Sequence, residues 1–458
     1  MISKKILAFL LCMTLLVTAA CVSPQPAPDP VADAPASAAD DSAPTLTESD
    51  TSGGLADATI SLLSRSFTLN SMYVFEVAHE QLQAWQSENP NITVINESVF
   101  DEDQFNNRFT IAVSSGDIPT IFSHYGGGAF KPYIDSGMVL DLEPYLLEDP
   151  EWYNSFIEGA LAFSQYPDIS GIFAVPIDMF ATGIFYNKTL FAQAGVSPPN
   201  TIAEFEAACE ALLAAGIQPM TFGDANSFRG GHLIGDILMK RHGSSFMHDL
   251  ADGRQAYTDP EFVEVLHLMK SWQDRGFLGA NVATLDVDGE RTNFRTGQTA
   301  MIQHLVSQYG NIMGDGATVE DHEVGFIPFP YFDEAPEHRN AWHSGASLLH
   351  SIATDASEAE IAAAISLLKM YTGLETAAIQ VERGEGTFLS AIRGAPVSAN
   401  PVPAIVEFTA VYPNATDAGK EPGEYSTNPA MRNLIRDQIQ AMFAGTPPEE
   451  VARILQAA

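Results

Sequence analysis

The sequence predicts an α/β fold in which helices cover sheets of short strands. From Ile60 onward, β-branched apolar runs alternate with helical patterns, which is the signature of a layered α/β protein. Hydrophobic residues make up 46% of the 458 positions, enough for a large core and, by length, for two or more domains. Strands are expected over 60–63, 92–95, 120–123, 172–175, 183–186, 299–302, 324–327 and 348–352. Three helices announce their ends. Thr201 with Glu204 forms a capping box, Phe205, Ala208 and Leu212 share a face, and Gly216 is the stop. Asp259-Pro260 opens a second helix carrying Phe262, Leu266, Met269 and Trp272 as far as Gly276. Ser357 with Glu360 opens a third, with Ile361, Ile365 and Leu368 inward and Gly373 at its end. Cys209 reads as a small apolar residue inside the first of these helices.

Charge narrows the partners. Against 58 Asp and Glu stand 22 Lys and Arg, a net −36, and no run of Lys and Arg exceeds two residues, as at Lys4-Lys5, so nucleic acid is excluded as a partner. The same acidity describes a well-solvated surface that opposes self-association at low salt, and a monomer is expected. Lys4 and Lys5, the apolar run 6–17 and the small residues Thr18, Ala19 and Ala20 have the layout of an export signal over residues 1–20. That apolar run is shorter than the roughly 20 residues a bilayer-spanning helix needs. Val17-Thr18-Ala19-Ala20-Cys21 resembles a bacterial lipobox with Thr18 where Leu is usual, which implies lipidation of Cys21 and attachment to the outer face of the cytoplasmic membrane, in a periplasm or at a cell surface. Ordinary cleavage near Ala20 is the alternative. Cys12 would leave with the signal, so Cys21 and Cys209 provide no disulfide framework. Residues 22–56 combine Pro, Ala and acidic residues with no Lys, Arg or aromatic, and read as a solvated tether over 21–56.

Several chemistries lack their residues. Gly126-Gly127-Gly128 has neither the second Gly nor the Lys of a phosphate-binding loop, and no G-x-G-x-x-G is present. Gly345-Ala346-Ser347 is followed by Leu348, so no serine nucleophile elbow is encoded. His232, His242 and His248, like His338 and His343, lack the i, i+4 spacing of helical zinc ligands. No metal, cofactor or catalytic residue is expected.

Five segments in order carry a resemblance. Leu82-Gln83-Ala84-Trp85 runs into Asn89-Pro90-Asn91-Ile92-Thr93-Val94, and residues 109–122 read FTIAVSSGDIPTIF. Residues 171–176, GIFAVP, lead to 185–191, FYNKTLF, then Ala194-Gly195 and Pro198-Pro199-Asn200-Thr201 with Phe205. Residues 294–301 read FRTGQTAM, and 325–330 read GFIPFP. Together they resemble the bacterial extracellular solute-binding proteins of ABC importers, in particular the family 1 branch that binds carbohydrates, across most of residues 57–458.

The resemblance implies a two-lobed type II periplasmic-binding-protein fold with hinge crossings and a ligand cleft. Lobe 1 would comprise 57–180 and 328–384, and lobe 2 181–327 and 385–458, with crossings near 178–183, 325–329 and 382–389. It implies a substrate-binding subunit, not an enzyme, that delivers a mono- or oligosaccharide to the permease subunits in the membrane. A polyamine, a peptide or another polar solute is the alternative, and a secreted polysaccharide-active enzyme or a structural lipoprotein lies further off. Sugars need polar partners for hydroxyls and aromatic faces for their rings, and such ligands bind at the carboxyl ends of strands. On that basis the expected contacts are Ser64, Arg65, His124, Tyr125, Trp342 and His343 from the first lobe. From the second lobe and hinge they are Asp178, Phe180, Asn226, Phe228, His304 and Gln308. Trp342 is expected in a loop, and the three glycines are expected to allow close backbone approach.

Overall fold

A computed structural model describes residues 54–67, 73–157, 159–166, 168–428 and 430–458. The expected signal, Cys21 and nearly all of the tether lie outside them. Among the described residues twelve strands are present: β1 Ala58–Leu63, β2 Ile92–Asn96, β3 Ile121–His124, β4 Val175–Pro176, β5 Asp178–Asn187, β6 Gln218–Met220, β7 Thr299–Leu305, β8 Val324–Ile327, β9 Ala341–Ala346, β10 Leu349–Ile352, β11 Leu389–Ser390 and β12 Asp417–Gly419. They form two sheets, which run β2-β1-β3-β10-β4 and β12-β9-β5-β7-β6, with β8 and β11 also paired to β5.

The first sheet starts from parallel pairs, Ala58 opposite Ile92 and Leu62 opposite Ile121, and continues through antiparallel β10 to β4 at its edge. Its apolar residues Ile60, Leu62, Ile121, Leu349 and Ile352 share a core with Leu82 and Trp85 and with Ile361, Ile365 and Leu368. These come from helices Tyr73–Glu88 and Glu358–Tyr371. The second core gathers Ile184, Phe205, Cys209, Leu212, Leu233, Trp272 and Ile435. A third cluster, centred on Phe185, Ile302, Phe326, Trp342 and Phe408, lies against the second sheet. Both capping boxes form, at Thr201 and at Ser357, and Pro260 opens the helix Pro260–Asp274. Cys209 is buried.

Two elements differ from the local pattern for visible reasons. The run 172–175 supplies only Val175 to a strand, because the Ile172 amide donates to Asp141 and the Phe173 amide to the Ser164 carbonyl, leaving no ladder for them. Strand β5 is longer than its apolar stretch, because its first half pairs with β9 and β11 and its second half with β7 and β8.

The lobes interleave through β5. Met179 belongs to the first core, while Ile184 belongs to the second. The return crossing falls later than 325–329. Strand β8 pairs with the far half of β5, Ile327 opposite Ile184, and Phe329, Phe332, Ala335 and Ala341 pack in the second core. Residues 328–341 therefore go with the second lobe, and the chain returns between Trp342 of the third cluster and Ala346 of the first core. The last crossing is also later than 382–389, since Ala391 and Ile392 are still in the first core while Val402 and Ile405 join the third cluster.

Candidate functional site

The seam between the lobes is built on β5 and β9. They run antiparallel with Phe180 opposite Gly345 and Ala181 opposite Ser344, so successive side chains of β9 alternate in direction. Trp342 is turned into the third cluster against Phe326, Phe408 and Tyr412. Gly345 lies under the ring of Phe163, where a Cβ would come within 2.7 Å of it. His343 meets the Phe180 ring edge-on at 5.3 Å and the His232 ring at 5.8 Å. Burial, the largest influence, pushes the His343 imidazole down to about 3, so it is neutral.

Beside β9 runs β12, with Gly419 opposite His343, and the next residue is Lys420. Its Nζ donates to the Tyr125 carbonyl at 2.7 Å and lies 5.0 Å over the Phe163 ring. Arg432 lies 5.1 Å over the Tyr125 ring and pairs with Glu424 at 3.3 Å. Arg436 engages Glu421 with both of its forked nitrogens. Asp178 Oδ1 accepts from the Leu348 amide at 3.3 Å, and burial raises its carboxyl to about 6 despite the Lys420 charge. Tyr125, Phe163, Asp178 and Phe180 are each only partly buried at the seam.

Of the twelve residues expected, Arg65, Tyr125, Asp178, Phe180 and His343 come together here. The Arg65 guanidinium reaches the Tyr125 hydroxyl and donates from Nε to the Phe100 carbonyl at 3.0 Å. Asn226 and Phe228 stand at the start of helix Phe228–His242, one exposed and the other edge-on to His232 at 5.5 Å. The others have different occupations. Ser64 is buried and bonds His350 Nε2 at 2.8 Å. His124 accepts the Gly126 amide at Nδ1, bonds Ser351 Oγ through Nε2 at 2.8 Å and stacks on Phe130, which leaves its ring no capacity for a ligand. His304 is 1% exposed, with Nδ1 accepting the Leu305 amide. Gln308 accepts from Arg291 and Asn311. Trp342 lies in a strand and not a loop, at 3% exposure, because three aromatic side chains enclose it.

Sequence reasoning missed Phe163, Lys420, Glu424 and Arg432. Lys420 did leave a signal, being the only Lys or Arg between Arg393 and Arg432. Phe163 left none. Behind the seam a buried polar chain braces β5: Thr182 Oγ1 donates to Asp236 at 2.5 Å, Gln303 Nε2 donates to the other Asp236 oxygen, and Arg229 joins Gln303 to Glu290. Among the described residues no group of three or more His, Cys, Asp or Glu is arranged to hold a metal ion.

Two interleaved lobes with aromatic and polar groups at their seam define a two-lobed solute-binding protein of the periplasmic type. The chain belongs to the bacterial extracellular solute-binding protein family, whose pattern matches residues 75–378. A chitin oligosaccharide binding protein shares the fold with a TM-score of 0.78 at 24% identity, over 87% of this chain and 97% of that one. A protein solved in a study of xylan utilization by Caldanaerobius polysaccharolyticus gives 0.75 at 18% identity, over 87% of this chain and 99% of that one. A protein of Brucella abortus described as a binding protein is 26% identical over 228 residues, 49% of this chain and 53% of that protein. The chain thus matches about half the length of this curated relative.

Proposed function

We propose that this protein is the substrate-binding subunit of an ABC importer, taking a mono- or oligosaccharide between its lobes and passing it to the membrane permease. The observation that carries the reading is the half-buried set Tyr125, Phe163 and Phe180 beside Asp178 and Lys420, since ring faces next to charged hydrogen-bonding groups match the two surfaces of a sugar. The oligosaccharide-binding character of the fold relative supports the same solute class. Cations at the seam, Lys420 and Arg432 among them, disfavour a polyamine. The protein acts without catalysis, as a monomer, exported and held to the membrane through lipid on Cys21 and the tether that follows. No helix among the described residues is long and apolar enough to cross a membrane.

The test is a thermal-shift screen against mono- and oligosaccharides, polyamines and short peptides. A ligand at a hundred times its Kd adds about 2.7 kcal/mol of stability. Stabilisation by one group of sugars is the expected result, and stabilisation by polyamines or peptides alone overturns the carbohydrate assignment. Loss of lipid labelling in Cys21→Ser checks the anchor.

A further inference from the structure

Arg229, in the first turn of helix Phe228–His242, is fully buried, and each nitrogen of its guanidinium is engaged. Nε and Nη2 pair with Glu290 at 3.0 Å, Nη2 also donates to Gln303 Oε1 at 2.8 Å, and Nη1 lies 3.1 Å from His232 Nδ1. An arginine stays protonated and offers donors only, so His232 Nδ1 is the acceptor and carries no hydrogen. The imidazole is therefore neutral with its proton on Nε2. Burial, and after it the Arg229 charge, holds the ring well below its ordinary pKa and keeps it in that form. The hydrogen bond received at Nδ1 also polarises the ring, which strengthens Nε2 as a donor.

This donor stands at the solute site. His232 is only partly buried, and among the described residues no protein group accepts from its Nε2. Its ring belongs to a row: Phe228 meets it edge-on at 5.5 Å, His343 lies at 5.8 Å, and His343 in turn meets Phe180 at 5.3 Å. The row leads from the helix start to the seam, and its buried member, His343, has an Nδ1 with no protein partner.

We infer that His232 is a specificity-determining residue of the interlobe site, donating from Nε2 to a solute oxygen, and that Arg229 is the positioning residue that fixes its tautomer. The inference rests on the proposed function, because the hydroxyl, ring and carbonyl oxygens of a saccharide are the acceptors such a donor selects. A polyamine, whose charged nitrogens only donate, has nothing to offer it.

Long-range proton–nitrogen NMR of the protein carrying isotopically labelled histidine reads the tautomer, with His232 assigned by comparison with His232→Gln. Protonation at Nε2 alone is expected. Protonation of His232 at Nδ1 overturns the inference. Arg229→Met/Glu290→Met removes the ion pair together, strands no interior charge and should mix the tautomers; an unchanged tautomer there overturns the role of Arg229. Should that variant not fold, the wild-type tautomer decides. The second measurement is calorimetric titration with mono- and oligosaccharides, spermidine and trialanine. The saccharide that binds wild type should bind His232→Phe about tenfold more weakly, the loss of one hydrogen bond. His232→Gln, which keeps an N–H at similar reach, should restore most of the affinity. Equal affinity in wild type and His232→Phe, or no rescue by Gln, overturns the inference and leaves the proposed function standing. Binding of spermidine alone, or of no probe, overturns both. Binding of trialanine alone overturns the carbohydrate assignment, and the same two variants then decide the role of His232.

Discussion

Asp224 shows how far a single buried group can shape the pH response. It is fully buried, Oδ1 accepts the Gly230 amide at 2.8 Å, and Oδ2 has no protein hydrogen-bond partner. Burial raises its carboxyl to about 8, and raises Asp236 to about 7. A carboxyl held above its unfolded value gives stability that is full below the unfolded pKa and is lost as pH rises through the folded one. The unfolding free energy should therefore fall between pH 4 and pH 8, and Asp224→Asn should flatten that decline in urea titrations at several pH values. Unchanged slopes would remove Asp224 from the account. At Trp342, truncation to Ala should cost about 3–5 kcal/mol, measured by denaturant unfolding. Phe163→Ala should instead weaken saccharide binding, seen by calorimetry, with a smaller loss of stability because the ring is half-exposed. The contrast explains what was legible. A tryptophan announces burial or recognition equally, and what turns Trp342 inward is the pleat of a strand reading Ala-Trp-His-Ser-Gly-Ala, which carries turn residues and no alternating apolar signal.

Among the elements, helix Phe228–His242 braces the seam through Arg229 and Asp236. Its first turn contains Arg229, whose forked pair with Glu290 is completely buried at 3.0 Å. Removing one partner of such a pair leaves an uncompensated interior charge, so Glu290→Ala should cost about 3–5 kcal/mol. A lower denaturation midpoint with unchanged slope is the expected signature, and a midpoint equal to wild type would refute it. Helices of this kind were readable because their information is local: the boxes at Thr201 and Ser357 need only residues three apart. Strands β6, β11 and β12 were not readable. They are two or three residues long and exist because a neighbouring strand offers a ladder, which is information held elsewhere in the chain. Crossing positions were misplaced for the same reason, since pairing to β5 and not local composition decides the lobe to which β8 belongs.

For the whole molecule, a net charge of −36 means that self-repulsion opposes the compact state. The screening length shrinks from about 30 Å at 0.01 M salt to about 8 Å at 0.15 M. Melting temperature should accordingly rise over that range of sodium chloride, and a flat response would show the charges to be locally compensated. The interleaving of the lobes reaches beyond equilibrium. The first core draws on residues from Ile60 to Ile392, and the second on residues from Ile184 to Leu455. A nascent chain emerging from the ribosome can complete the first core only after Ile392 has been made, and the second only after Leu455. Such long-range pairing makes for slow folding, so the polypeptide spends its synthesis as an unfolded thread, the form that a narrow export channel can accept.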